Sequence, residues 1–166
     1  DTPYKGLLLY HGLGSGKTCS AITICEEYRM TTMNLNKDHR ILVIASKNVQ
    51  DNFRIQLFDE RKLELINGLW NVTGCISQSL ANEVNPTFMK NIPKVQIVKQ
   101  INGLIDKHYK FMGYRQFGNS VTKKLEILRR QLGLETKVVK VRENSLLKQL
   151  FSNRLIIIDE VQNIRT

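Results

Sequence analysis

Lys17 and Thr18 stand directly behind three alternating glycines in HGLGSGKT, residues 11–18. That order of residue types is what a phosphate-binding loop requires. Gly12, Gly14 and Gly16 can take positive φ and carry no Cβ to obstruct an approaching phosphate. Successive main-chain N–H groups, that of Ser15 among them, would then form a concave anion nest. A helix beginning at Lys17 adds the positive end of its dipole. In that setting the Lys17 ammonium would neutralise the outer phosphates of ATP, and the Thr18 hydroxyl would ligate Mg²⁺. His11 occupies the place of the usual first glycine, so the pattern is complete at its Lys-Thr end and loose at its start. A glycine-rich strand-to-helix turn that binds nothing is the competing reading. The Lys-Thr pair and the apolar run GLLLY before the loop weigh against it.

A second chemical pair lies near the other end, in NRLIIIDEVQN, residues 153–163. Leu155 to Ile158 is a continuous, β-branched apolar run, which predicts a central parallel strand buried on both faces. Asp159 and Glu160 follow where that strand should end. Open α/β sheets gather ligands at the carboxyl ends of their strands, so the acids are expected beside the glycine-rich loop. Asp159 would hold Mg²⁺ through its water shell, and Glu160 would orient or deprotonate the water attacking the γ-phosphate. By itself an Asp-Glu pair also suits a solvated turn; together with the loop it reads as the other half of one site.

The elements that must position these residues follow from periodicity. Leu7 to Tyr10 predicts a buried strand leading into the loop, and Lys17 to Met30 a helix with Ala21, Ile22, Ile24, Cys25 and Tyr28 inward. Ile41 to Ala45 predicts another buried strand, and NVQDNFRIQLF (48–58) a helix burying Val49, Phe53, Leu57 and Phe58. Residues 66–93 are turn-rich and predict no definite element. Helical spacing returns through Val98, Ile101, Ile105 and Met112, again over 121–133 up to Gly133, and briefly over 145–151. TKVVKVRE (136–143) predicts a strand. No internal repeat or low-complexity linker interrupts the chain.

The 166 residues suit one domain with a substantial core. No apolar run approaches the roughly 20 residues of a membrane-spanning helix, so no membrane partner is expected. Three cysteines, Cys19, Cys25 and Cys75, have no metal-ligand spacing, and an odd number closes no disulfide set, which favours a reducing, intracellular setting. The sequon Asn71–Thr73 is read as chance, since no secretory signal precedes it. Without an initiator Met, the chain is expected to be a segment of something longer. Of the +10 net charge, almost all falls in residues 94–148, with thirteen Lys and Arg against four Asp and Glu. Such clustering is the footprint of a polyanion-binding surface, although a solvated basic helix face gives the same count.

LLLYHGLGSGKTCSAI and LIIIDEVQN together resemble motifs I and II of superfamily 2 helicase-type ATPases. Within them the chain is most similar to the large-DNA-virus group of poxvirus early-transcription-factor ATPases and their giant-virus relatives. YKFMGYRQFGNSV (109–121) also resembles a segment typical of that group. The resemblance implies an α/β fold: an N-terminal RecA-like P-loop NTPase domain over residues 1–166, its mainly parallel sheet flanked by helices, truncated after motif II, with a helical, basic insertion over about 94–150. It implies that Gly14, Gly16, Lys17 and Thr18 hold phosphates and Mg²⁺, and that Asp159 and Glu160 are the metal-binding and catalytic acids. Gln162 falls where many relatives carry His, a position that couples nucleotide state to the rest of the machine. Gln keeps the hydrogen bonds but not the charge. Ser46, Lys47 and Asn48 fall where motif Ia would touch a nucleic-acid backbone. Nothing before Thr166 matches motifs III to VI, so the arginine finger is expected on a second RecA-like domain.

The expected activity is therefore ATP-dependent helicase or translocase action on DNA or RNA, within viral transcription machinery, in a virion or the host cytoplasm. Contacts to the polymer would be to phosphate and salt-dependent. Tyr109, Phe111, Tyr114 and Phe117, interleaved with Lys107, Lys110 and Arg115, would suit base stacking, or else simply pack a core. Two other classes stay open: a P-loop ATPase remodelling protein partners, and a nucleotide-binding module without turnover.

Overall fold

A computed structural model describes residues 6–10, 16–32, 40–132 and 136–164 of the chain. In order these form α1 (Lys17–Thr31), β1 (Ile41–Ile44), α2 (Lys47–Leu57), a 3-10 turn (Glu60–Lys62), β2 (Leu63–Ile66), β3 (Leu69–Val72), α3 (Ser77–Val84), α4 (Lys94–His108), β4 (Tyr109–Met112), α5 (Tyr114–Leu132), α6 (Thr136–Phe151), β5 (Ile156–Ile158) and a second 3-10 turn (Val161–Ile164). The fold is mixed α/β, with a parallel three-stranded sheet and helical connections, compatible with a RecA-like domain fragment. No helix among the described residues is long and apolar enough to cross a membrane.

The chain divides into two compact units. One comprises Asp1–Leu35 and Asp51–His108; the other comprises Asn36–Gln50 and Tyr109–Thr166. In the first, α1 buries Ala21, Ile22, Cys25, Glu26 and Arg29, a stripe at helical spacing. In α4 the buried positions are Ile97, Ile101 and Ile105, four apart. β2 and β3 pair antiparallel, Leu63 opposite Val72 and Ile66 opposite Leu69. Their two-residue turn has φ of 53° at Asn67 and 82° at Gly68. Two positive φ angles in succession are what a twist-matched tight hairpin demands, and Asn-Gly supplies them at least cost. This hairpin and α3 occupy the segment whose residues predicted no element.

In the second unit the strand order is β4-β1-β5, all parallel. β1 is central, and Ile41, Leu42, Val43, Ile44 and Ala45 are each at most 3% exposed. Burying each large side chain contributes about 1.5–3 kcal/mol. Parallel neighbours need long crossovers, and the β4-to-β5 crossover is the helix pair α5–α6. Phe117 of α5 packs against Phe151 of α6, ring centroids 5.8 Å apart.

Several expectations are corrected here. Leu7 to Tyr10 is coil, with Leu7, Leu8 and Tyr10 more than 70% exposed; among the described residues no strand pairs with it, and a lone extended segment gains no ladder. β5 flanks β1 instead of occupying the centre, and Ile158 is 38% exposed. Tyr109–Met112 ends its helix and pairs with β1, Ile41 opposite Tyr109 and Ile44 opposite Met112. Residues 136–143 are helical. Val139, Glu143, Leu146, Leu147 and Leu150 are half-buried at helical spacing while Val141 is exposed, so a longer helical stripe overrides the local β-branched alternation. The cysteines also depart from expectation. Cys19 and Cys75 form a disulfide across 56 positions, and Cys25, outside that bond, is buried.

Candidate functional site

The glycine-rich loop enters α1. Gly16 sits at φ 84°, ψ 20°, left-handed, as the N-cap residue, and its carbonyl accepts the Ser20 N–H at 3.0 Å. A Cβ built there would meet nothing within 4 Å, so the glycine is required by its backbone angle and not by crowding. Glycine offers no side chain to cap the first-turn N–H groups, and that turn holds no acid. A 15-residue helix thus starts without a side-chain cap from Gly16, with Lys17 and Thr18, both half-buried, as its first residues, and its positive dipole end favours an anion there. These features fit a phosphate group and a hard cation beside it. His11, Gly12, Gly14 and Ser15 lie outside the described residues.

α1 is fastened by its side chains. Cys19, the residue after Thr18, is bonded to Cys75 in the segment between β3 and α3. One helical stretch further on, the Arg29 guanidinium is shared by two carboxylates. Its Nε and Nη2 donate to Glu26 at 2.9 and 2.6 Å, and its Nη1 and Nη2 donate to Glu83 of α3 at 2.9 and 2.6 Å. The Arg29 side chain is 2% exposed. Burial opposes its charge, but the hydrogen bonds it donates to Glu83 and Glu26 outweigh that and hold the guanidinium more firmly protonated than usual. Helical spacing in CSAITICEEYR predicted the buried apolar stripe. It did not single out Glu26 and Arg29, whose (i, i+3) placement was the signal available.

The acid pair lies in the second unit, at the carboxyl edge of the parallel sheet. Ser46 to Asn48 follow β1, Gly113 and Tyr114 follow β4, and Asp159 and Glu160 follow β5. Three neighbouring strand ends therefore bring these groups to one sheet edge. The Asp159 N–H donates to the Ile44 carbonyl at 3.1 Å, the last rung of the β1–β5 ladder. The Tyr114 hydroxyl donates to the Asp159 main-chain carbonyl at 2.7 Å. Glu160 then adopts φ 48°, left-handed for a residue with a Cβ. That conformation costs roughly 1–3 kcal/mol and persists only where surroundings enforce it. The Gln162 side-chain amide donates to Glu160 Oε2. Asp159 is half-buried and Glu160 exposed. Ser46, Lys47 and Asn48 are all exposed at the start of α2, and the Gln50 amide donates to the Ala45 carbonyl at 2.7 Å.

The basic residues divide between the units. Arg115, Lys123, Lys124, Arg129, Arg130, Lys140, Arg142 and Lys148 of α5 and α6 are all exposed. Arg129 pairs with Glu143 at 2.5 Å. The aromatics among them are mostly internal. Tyr109 is 2% exposed and stacks on Phe111 with centroids 6.1 Å apart, while Phe117 faces Phe151. Packing, not base stacking, accounts for them. Tyr114 was grouped with these aromatics in the sequence; its bond to Asp159 is what that grouping missed.

Two proteins of Acanthamoeba polyphaga mimivirus, each named a putative ATP-dependent RNA helicase, are similar to this chain. One is 28% identical over 163 residues, covering 98% of this chain and 22% of the relative. The other is 25% identical over 174 residues, covering 99% of this chain and 14% of the relative. The chain thus spans less than a quarter of the length of these curated relatives. No protein-family model matches the sequence, and no solved structure matches it.

Proposed function

We propose that this chain is the nucleotide-binding and hydrolysing part of an ATP-dependent helicase or translocase of superfamily 2, acting on DNA or RNA in viral transcription. The observation that carries the proposal is the left-handed Gly16 opening a helix at Lys17-Thr18 whose first turn holds no acid. An acid pair held at a parallel-sheet carboxyl edge supports the same reading.

In this reading Gly12, Gly14, Ser15 and Gly16 offer main-chain N–H groups to the phosphates, and Lys17 neutralises the charge that develops there. Thr18 and Asp159 are the oxygen donors for Mg²⁺, which when bound offsets phosphate charge. Glu160 orients the attacking water and accepts its proton. Gln162, in contact with Glu160, is the route by which nucleotide state is reported onward. Ser46 to Asn48 and the exposed cations of α5–α6 meet the polymer through its phosphates, so affinity should fall as salt rises.

The test is ATP hydrolysis by the complete gene product, with and without single- and double-stranded DNA and RNA. The complete product is needed because an arginine finger from a further domain contributes about 10³–10⁵ in rate. Glu160→Gln should lower kcat at least about a hundredfold, and one polynucleotide should raise the wild-type rate several-fold. A substantial rate indifferent to every polynucleotide would sink the translocase reading in favour of protein remodelling. ATP binding that Lys17→Ala abolishes, with no turnover, would reduce the chain to a binding module.

A further inference from the structure

We propose that Tyr114 is a positioning residue for the acid pair, its hydroxyl fixing the peptide plane between Asp159 and Glu160 and so aiming the Glu160 carboxylate. The proposal deepens the hydrolytic reading above and rests on it. The geometry is local to the second unit. The Asp159 N–H belongs to the β1–β5 ladder through Ile44, but its carbonyl belongs to the next peptide, beyond the end of β5. That carbonyl accepts the Tyr114 hydroxyl at 2.7 Å.

A peptide unit is planar, so holding its oxygen also holds the nitrogen of the following residue. The φ angle of Glu160 is measured from that plane. At 48° it sends the side chain in a direction that neither a strand nor a right-handed turn would give. The Gln162 amide then holds Oε2 of the same carboxylate. Tyr114 fixes the base of the side chain and Gln162 its tip.

Tyr114 can serve as a ruler because it is itself anchored. Met112, two residues before it, is buried in β4, and its carbonyl accepts the Ala45 N–H at 3.1 Å. The Gly113 carbonyl accepts the Phe117 N–H at 2.9 Å, locking Tyr114 into the first turn of α5. A tyrosine has few rotatable bonds, so its hydroxyl stands at a set distance from this anchored backbone. The same residue begins the basic α5–α6 pair, which places the acid pair's support on the element that carries the exposed cations.

The experiment compares the complete gene product with its Tyr114→Phe and Tyr114→Ala variants, reading kcat and KM for ATP, affinity for a fluorescent ATP analogue, and thermal midpoint. Tyr114→Phe keeps the ring and loses only the hydroxyl. It should lower kcat about tenfold while KM, analogue affinity and midpoint stay at wild-type values. Tyr114→Ala should lose at least as much kcat. Full activity in Tyr114→Phe, with loss only in Tyr114→Ala, would overturn the proposal in favour of ring packing. A kcat loss that tracks a fallen midpoint or a raised KM would overturn it in favour of a structural role. If the wild-type protein itself does not hydrolyse ATP, the hydrolytic reading fails and this proposal with it; a wild-type rate matched by Tyr114→Phe removes this proposal alone.

Discussion

In the first unit, α1 is fastened by side chains: a disulfide at Cys19 and a guanidinium shared by Glu26 and Glu83. In the second, the acid pair is fastened by main chain: two parallel ladders on β1, an Asp159 N–H on the Ile44 carbonyl, and one phenol hydroxyl. The contrast has a physical origin. A helix satisfies its own backbone and can be located only through its side chains. A strand end is located by its neighbours' backbones, so its register follows from pairing. The two regions should therefore fail under different insults.

The largest difference is expected from the disulfide. Closing a loop of 56 positions stabilises a fold by about 4 kcal/mol through the entropy it removes from the unfolded chain. Cys75→Ser, or reduction with dithiothreitol, should lower unfolding free energy by about that amount in a denaturant titration. Hydrogen exchange sharpens the point. Amides of α1 and α3 should lose protection, while those of β1, β4 and β5 keep theirs. Equal loss in the sheet would show that the two regions are not held separately.

The ionic fastening comes next. Arg29→Met keeps much of the side-chain volume but removes the guanidinium that both carboxylates share. Breaking a buried ion pair by removing one member costs about 3 kcal/mol, because the remaining charge stays desolvated. Replacing all three, with Glu26→Gln and Glu83→Gln added, should recover most of that loss. A single Arg29→Met with no measurable change would mean that α1 is held by its apolar stripe alone.

How much of this was legible in the sequence follows the same division. β1 was legible because Ile41 to Ala45 is apolar without interruption, and a strand buried on both faces has no polar alternation to hide it. The start of α1 was legible because Gly16, Lys17 and Thr18 declare a turn and a helix by type. Tyr109 to Met112 was not. Its apolar residues continue the spacing of α4, and only pairing with β1, a long-range fact, makes it a strand. The hairpin at Asn67-Gly68 carried its signal in two residues, which the surrounding turn-rich composition concealed. In the proposed site, residue types alone suggested the loop and the acids. Tyr114 stayed hidden because a hydroxyl acting 45 positions away leaves no periodic trace. The same holds for the Cys19–Cys75 pair, since counting three cysteines says nothing about which two lie close.

The smallest expected effect is a pH dependence confined to the first unit. His108 ends α4, where a helix C-terminus ordinarily favours a protonated imidazole. Burial pushes the other way, and the positive charges of Arg29 and Lys107 add to it. Glu83 and Glu26 offset this only in part, so the imidazole sits below its ordinary value of 6.5. A histidine lowered in the folded state binds fewer protons than in the unfolded chain once the pH drops toward 6.5, and linkage then favours unfolding. Stability from this source is present above pH 6.5 and is lost progressively as pH falls through the lowered value. Thermal midpoints at pH 7.5, 6.5 and 5.5 should decline more in the wild type than in His108→Gln, which cannot take up the proton. Since Arg29 contributes to the lowering, Arg29→Met should flatten the same profile as well as lower it. A profile unchanged by Arg29→Met would leave burial and Lys107 as the causes, and the ionic fastening of α1 would then have no electrical reach beyond the two carboxylates it touches.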